Sequence, residues 1–160
     1  MSDRAPASFT LYYTSGKEKA LAELFNNWGF DIEGRAVTEN GIVDGVTLGV
    51  DEISVGILSE LGGVLESLGV AYRGSQDAKY EYDGSVRYFI PGLGSEDFEG
   101  NNNGEMVVFG RDVTKIANKL TALYADGETC VDSGEVAKIV AEFSELCGNR
   151  YVDAFNALGG

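Results

Sequence analysis

The sequence has no histidine, two cysteines, two prolines and one tryptophan among its 160 residues. Histidine is the side chain that most often serves as a general base or metal ligand near neutral pH, so histidine-dependent triads and histidine-containing zinc sites are excluded. Cys130 and Cys147 are too few and too far apart for a zinc knuckle or a CxxC redox pair. Cys147 continues the apolar stripe of a predicted helix, which indicates a buried thiol in a reduced, cytoplasmic setting.

Long apolar runs are also lacking. No segment approaches 18 consecutive apolar residues, which is the least that a membrane-spanning helix needs. The first ten residues, MSDRAPASFT, contain no apolar segment of the kind found in signal peptides. We therefore expect neither a membrane span nor a secretory leader.

Basic residues are scarce relative to acidic ones. Twelve lysines and arginines stand against 26 aspartates and glutamates, so the net charge is −14 and the isoelectric point is about 4.2. Such a chain repels phosphates, which argues against direct binding to nucleic acid or to an anionic membrane surface. A basic protein partner or a metal cation is favoured, although solubility or a salty cytoplasm would also explain the acidity.

The first half of the chain alternates strand-like and helix-like patterns. Aromatic and β-branched runs predict strands, and apolar residues at helical spacing predict helices. The predicted elements are a strand at 8–14, a helix from Ser15 to Gly29 with Glu18 in a capping box, strands at 30–37 and 41–50 joined at Asn40-Gly41, a helix from Asp51 to Gly69, and a strand at 70–74. This order predicts an α+β fold with a ferredoxin-like βαββαβ unit at about 8–74.

The second half extends this unit. Asp83-Gly84 is a strong hairpin signal between AKYEY and SVRYFI, and EMVVF at 105–109 has the pattern of a buried strand. Helices are predicted at about 112–124, from Asp132 with Glu135 in a capping box, and near the C-terminus. We expect one domain over 1–160, in which 75–160 adds a hairpin, a strand and helices packed on the ferredoxin-like half.

No motif indicates catalysis. YYTSGKEKA, at 12–20, lies between a strand and a helix but lacks the first glycine of a phosphate-binding loop, and Glu18 replaces its serine or threonine. GLGSED, at 92–97, does not match the GxSxG nucleophile turn. The sequence therefore predicts a protein that is not an enzyme and has no catalytic residues and no cofactor.

The most acidic stretch is SEDFEGNNNGE at 95–105. On an EF-hand frame, Glu99, Asn101 and Asn103 take the first three ligand positions, and Gly104 takes the sixth. The twelfth position, which should be a bidentate glutamate, is Gly110. No metal site is predicted, and calcium binding remains an alternative to a solvated turn.

The hairpin and this acidic stretch together predict a binding surface. From Asp77 to Glu105, seven acids stand against two bases, and a two-residue turn at Asp83-Gly84 places Tyr80 opposite Arg87. Tyrosine and arginine on an exposed strand are typical of interface hot spots. The predicted partner-binding residues are Asp77, Tyr80, Glu81, Tyr82, Asp83, Arg87, Glu96, Asp97 and Glu99.

These observations predict a non-catalytic inhibitor that occupies the basic nucleic-acid-binding surface of a partner protein. Small acidic proteins of mobile elements that block restriction enzymes or RNA-guided nucleases have this general composition, which is an analogy without a shared motif. The alternative is a ferredoxin-like domain that binds a small ligand or calcium. An exposed hairpin edge is also compatible with a homo-oligomer.

Overall fold

A computed structural model describes residues 3–79, 83–124 and 132–159. In these residues the chain is α+β, with one seven-stranded antiparallel sheet and five α-helices. The strands are β1 (Arg4–Tyr12), β2 (Asp31–Ile32), β3 (Arg35–Ala36), β4 (Thr47–Ser54), β5 (Ala71–Gln76), β6 (Gly84–Ile90) and β7 (Gly94–Gly100). The helices are α1 (Glu18–Asn27), α2 (Ile57–Ser67), α3 (Gly110–Ala122), α4 (Ser133–Leu146) and α5 (Asn149–Leu158).

The chain divides into two compact units. Unit 1 comprises Met1–Val107 and Ala154–Gly160, and unit 2 comprises Val108–Asp153. The sheet, α1 and α2 belong to unit 1, whereas α3 and α4 belong to unit 2. No helix in the described residues is long and apolar enough to cross a membrane.

The sheet of unit 1 has the strand order β3-β2-β4-β1-β5-β6-β7. β1 lies between β4 and β5, and Phe9 pairs with Leu48 on one side and with Gly74 on the other. The main core fills the face covered by α1 and α2, where Phe9, Phe25 and Phe30 pack edge to face at centroid distances of 5.2–5.8 Å. Alternation along β1 buries Ala5, Ala7, Phe9 and Leu11 on this face, as the two-residue period of a strand requires.

The predicted hairpin turn at Asn40-Gly41 is wrong. The turn lies at Glu33-Gly34, whose φ angles of +52° and +75° allow the tight connection between β2 and β3. Asn40 and Gly41 instead lie in a short 3₁₀ turn, Glu39–Gly41, that begins after Thr38. Since Asn-Gly suits several kinds of turn, the dipeptide alone did not fix the position of the hairpin.

Two further predictions are wrong at the opposite edge of the sheet, before β6 and after β7. Gly84 is the first residue of β6 and pairs with Gly100, so Asp83-Gly84 is not a two-residue hairpin turn. EMVVF is not a buried strand, because only Met106 forms a bridge, to Gly100, before α3 begins. Val107 in that run is 37% exposed, so apolar character alone misassigned it.

The predicted helices near the C-terminus are confirmed as α3, α4 and α5. Asp132 caps α4 by accepting a hydrogen bond from the Gly134 N–H at 2.8 Å. The predicted cap of α1 is wrong, because that helix begins at Glu18, whose carboxylate accepts from the Gly16 N–H instead. Cys147 is half-buried and not in a disulfide, and Cys130 lies outside the described residues.

Candidate partner-binding surface

The acidic stretch lies largely on β7, the last strand in the sheet order. The stretch at 95–105 was predicted as a loop, but its first half is strand, because Gly94–Gly100 pairs with β6 over its whole length. Its second half is a turn. Glu96, Asp97 and Glu99 are all exposed along this strand. β7 thus brings together three of the predicted partner-binding residues in a row at the edge of the sheet.

Two of these carboxylates carry uncompensated charge. Within the described part of the chain, neither Glu96 nor Glu99 has an ion-pair partner. Glu96 lies opposite Tyr88 and Glu99 opposite Ser85, and neither of these partners is a basic residue. This edge therefore presents negative charge that is free to interact with a positively charged surface.

Arg87 is surrounded by partners from its own chain. Its Nη2 lies 3.0 Å from Glu66 Oε1 on α2, its Nη1 lies 2.5 Å from Asp97 Oδ2 on β7, and its Nε donates to the Tyr72 hydroxyl at 2.9 Å. Nη2 also donates to Ser95 Oγ at 3.2 Å. The Arg87 side chain is only 14% exposed, so it joins β7 to α2 more than it faces solvent.

The same network shifts two pKa values. Burial lowers the pKa of Arg87, but hydrogen bonds to Asp97, Tyr72 and Glu66 outweigh burial and raise the pKa above its ordinary value. Burial raises the pKa of the Tyr72 phenol, and the hydrogen bond that this phenol donates to Glu66 raises it further. The Tyr72 phenol and the Arg87 guanidinium therefore both stay protonated throughout the physiological range.

Arg87 pairs with residues of both neighbouring strands, and the predicted pairing with Tyr80 falls on a residue outside those that the structure describes. Gly74 on β5 and Asp97 on β7 lie opposite Arg87, so both positions beside Arg87 in the sheet are occupied. Tyr80, Glu81 and Tyr82 lie outside the described residues. Asp83 is exposed directly before β6, and Asp77 follows β5.

Asp77 belongs to a different feature, a polar cavity of about 340 Å³. Three carboxylates from separate strands or their ends line it, Asp31, Asp51 and Asp77. Burial raises the pKa of Asp77. Asp31 and Asp51 were not predicted as site residues, because they are far from Asp77 in sequence and only the sheet order brings them together.

The cavity lies on the sheet face opposite the α1 and α2 core. Ser8 and Ser75 line it and share a hydrogen bond of 2.9 Å, whereas the adjacent Phe9 points into the core. The turn that follows β7 forms one wall through the segment 102–104. The cavity therefore borders the acidic stretch and lies on the face of the sheet that α1 and α2 do not cover.

The turn after β7 is closed by its own hydrogen bonds. Asn101 Oδ1 accepts from the backbone N–H groups of Asn103 and Glu105 at 2.9 and 3.0 Å, and Arg73 donates to the Gly104 carbonyl. Glu99 lies in β7 and not in a loop. The EF-hand frame is therefore wrong here, and no cluster of three metal-binding side chains occurs in the described residues.

No protein-family model, curated protein or solved structure matches this chain. Function is therefore inferred from the geometry and charge of the chain itself.

Proposed function

We propose that this protein is a non-catalytic binding protein that covers the basic nucleic-acid-binding surface of a partner protein and so inhibits it. The observation that carries the proposal is the edge strand β7, on which Glu96, Asp97 and Glu99 are all exposed, Asp97 and Glu99 on one face of the strand and Glu96 on the other. Glu96 and Glu99 have no cation of the described chain beside them, so a partner's lysines and arginines can supply the countercharge.

The spacing of these acids supports a nucleic-acid mimic. A strand advances about 3.3 Å per residue, so the three acids from Glu96 to Glu99 span about 10 Å. One strand of DNA carries a phosphate every 3.4 Å or so, which also gives about three charges over that length. Because Arg87 already pairs with Asp97, two uncompensated charges remain over that length, Glu99 on one face of the strand and Glu96 on the other. A groove that binds one nucleic-acid strand would therefore meet about two thirds of that charge density on β7.

The net charge of the chain can also be compared with the charge of nucleic acid. A charge of −14 equals that of about 24 Å of duplex DNA, at one charge per 1.7 Å. A partner with a basic groove would be attracted over a long range, and salt would weaken that attraction. We therefore place the protein in the same compartment as its partner, the cytoplasm, as a counter-defence type of inhibitor.

We also propose that the unit at about 8–74 is ferredoxin-like. Support comes from the strand order β2-β4-β1-β5, in which β1 and β4 are central and α1 and α2 connect strands across the sheet. Such a fold implies no particular function, and β6 and β7 extend it at the β5 edge.

The partner proposal is tested by capture and competition. The purified protein is immobilised, host lysate is applied at low salt, and bound proteins are eluted with excess duplex DNA and then with salt. We expect DNA to release a basic nucleic-acid-binding protein, because both ligands would occupy one surface. A bound protein that saturating DNA fails to displace would contradict the proposal, as would the recovery of no protein.

The role of β7 is tested by charge neutralisation. The double variant Glu96→Gln/Glu99→Gln is expected to weaken the DNA-sensitive complex about tenfold at low salt, because exposed ion pairs are worth roughly 0.2–1 kcal/mol each. The variant Glu23→Gln/Glu39→Gln removes the same charge from exposed positions away from β7 and is the matched control. Titration by calorimetry at two salt concentrations measures both. Equal weakening by the two variants would mean that overall charge, and not β7, determines binding.

The cavity lined by Asp31, Asp51 and Asp77 supports a second candidate, a small cationic ligand. Its volume of about 340 Å³ falls within the range of small-molecule sites. A polyamine is the main probe, and calcium is the comparison, because these three carboxylates do not form a cluster that could hold a metal ion. A ligand that binds the native state raises the melting temperature. We expect any such rise to disappear in Asp51→Asn/Asp77→Asn and to persist in Glu96→Gln/Glu99→Gln. No rise with either probe would eliminate this candidate.

A further inference from the structure

In the described part of the chain, the outer edge of β7 lacks a neighbouring strand along most of its length. β7 is the last strand in the sheet order, and it pairs with β6 on its inner side. The following segment covers the C-terminal end of the edge. Gly100 forms a bridge to Met106 there. The Val107 N–H also donates to the Glu99 carbonyl at 3.0 Å. The stretch 94–98, named here the open edge, has no strand of the described chain on its outer side.

The backbone of the open edge presents hydrogen-bonding groups outward at alternate residues. In an antiparallel ladder, the N–H and C=O of one residue point to one side of the strand, and those of the next residue point to the other side. The Glu99 carbonyl points away from β6, since it accepts from Val107. The backbone groups of Asp97 and Ser95 therefore also point outward, where an added strand would satisfy them.

The charges along β7 favour a basic segment as the added strand. Glu96 and Glu99 carry the uncompensated charge and lie on opposite faces of the strand. An added strand places one residue beside Glu96 on one face and the adjacent residue beside Asp97 on the other. The residue beside Asp97 also has Glu99 within reach as a diagonal neighbour. Two successive lysines or arginines can therefore compensate both charges, one on each face.

An apolar residue fits next to this basic pair. Phe98 is half-buried and lies on the same face of β7 as Glu96. Its ring packs edge to face on Tyr88, with 6.1 Å between the ring centroids. An apolar side chain opposite Phe98 would extend this contact, because cross-strand pairs with an aromatic residue stabilise a sheet. In the direction antiparallel to β7, the added strand therefore reads apolar, basic, basic.

A second copy of β7 is a poor occupant of the same edge. β7 contains three acids, Glu96, Asp97 and Glu99, and no lysine or arginine. Two copies that paired edge to edge would bring the acids of one strand beside those of the other, and like charges placed opposite each other destabilise a strand pair. Charge complementarity therefore selects a basic strand from a different protein.

We propose that the partner adds a basic extended segment of its nucleic-acid-binding surface to the open edge, as an eighth strand of the seven-stranded sheet. Backbone hydrogen bonds to Ser95 and Asp97 supply affinity that is independent of charge, and the two basic residues supply the choice of partner. This proposal rests on the proposed function for the identity of the partner. Strand addition itself is tested with a peptide, in the absence of that partner.

The probe is the peptide VKKTV, blocked at both ends, whose residues would lie opposite positions 98 to 94 of the full chain. We expect the amide signals of Ser95 and Asp97 to move downfield when it binds, because each N–H gains an acceptor. At a peptide concentration about ten times the dissociation constant, hydrogen exchange of both amides should slow about tenfold. The control peptide VEETV should not bind. No binding of VKKTV, or binding that leaves both amides unprotected, would overturn the proposal. So would protection of these amides on concentrating the chain alone.

Two N-methylated forms of the peptide separate strand pairing from charge attraction. Methylation of the second and fourth residues removes the N–H groups that face β7, whereas methylation of the third and fifth removes N–H groups that face away. The charge is the same in both. We expect the first form to bind about tenfold or more weakly than the second, because two hydrogen bonds are lost. Equal affinities would mean that charge alone holds the peptide, and strand addition would be wrong.

Ser95→Pro and Ser95→Ala extend the test to the partner captured from lysate. Both variants remove the hydroxyl that accepts from Arg87 at 3.2 Å, but only proline removes the outward N–H. Proline is tolerated on an edge strand where the N–H faces solvent. We expect Ser95→Pro to bind a DNA-displaceable partner about fivefold more weakly than Ser95→Ala.

Equal binding by two folded variants would overturn strand addition and leave the proposed function standing. Capture of no partner would contradict the proposed function, and the peptide results would still decide strand addition. If thermal unfolding shows that the proline variant does not fold, the N-methylated peptides provide the same comparison without changing the protein.

Discussion

Arg87→Gln is expected to lower the free energy of unfolding by about 2–3 kcal/mol, because it leaves the partly buried Glu66 carboxylate without its cation. The Tyr72 hydroxyl would also lose the Nε–H donor 2.9 Å away. The Glu66 side chain is 25% exposed, so water recovers only part of the loss. Urea unfolding at neutral pH, with a constant slope, measures the change.

Two neighbouring acids are controls for this prediction. Asp97→Asn should cost about 1 kcal/mol or less, because its side chain is 62% exposed and pairs of that kind contribute little. Glu96→Gln, on the same strand without an ion pair in the described residues, should change stability by less than about 0.5 kcal/mol. If Arg87→Gln leaves stability unchanged but abolishes capture of the partner, Arg87 contacts the partner and the structural role assigned here is wrong.

Gly62→Ala and Gly63→Ala are expected to change stability in opposite directions, although both lie within α2. A Cβ at Gly62 would overlap the hydroxyl of Tyr72, whereas a Cβ at Gly63 meets nothing within 4 Å. Tyr72 is fully buried and held by hydrogen bonds to Glu66 and Arg87, so it cannot move aside without losing them. Gly62→Ala should therefore destabilise the protein by about 1–3 kcal/mol.

Gly63→Ala has the opposite sign because only helix propensity acts there. Alanine is favoured over glycine inside a helix by about 1 kcal/mol, so the melting temperature should rise. Tyr72→Phe removes the hydroxyl that a Cβ at Gly62 would meet, and part of the cost of Gly62→Ala should disappear in that background. Equal effects of the two glycine substitutions on thermal unfolding would contradict the packing described for α2.

Elements with strong local periodicity could be predicted from the sequence. The apolar stripe of α4 and its capping aspartate, Asp132, are within one short segment, and the structure places the helix there. The same holds for α3 and for the α+β class as a whole. The bounds of two other elements were predicted wrongly: β1 begins at Arg4, and the segment 51–54, predicted as the start of α2, is the end of β4. The acidic edge was predicted only as a loop, because glutamates and asparagines have low strand propensity and pairing with β6 overrides it.

By itself, the sequence determined the charge of the chain, the absence of histidine chemistry and the main helices, because composition and helical periodicity are local properties. Tertiary structure decided which turn closes the β2–β3 hairpin, that Arg87 faces Glu66 and Asp97, and that three distant aspartates share a cavity. These features depend on strand order and register, which arise from contacts between residues far apart in the chain.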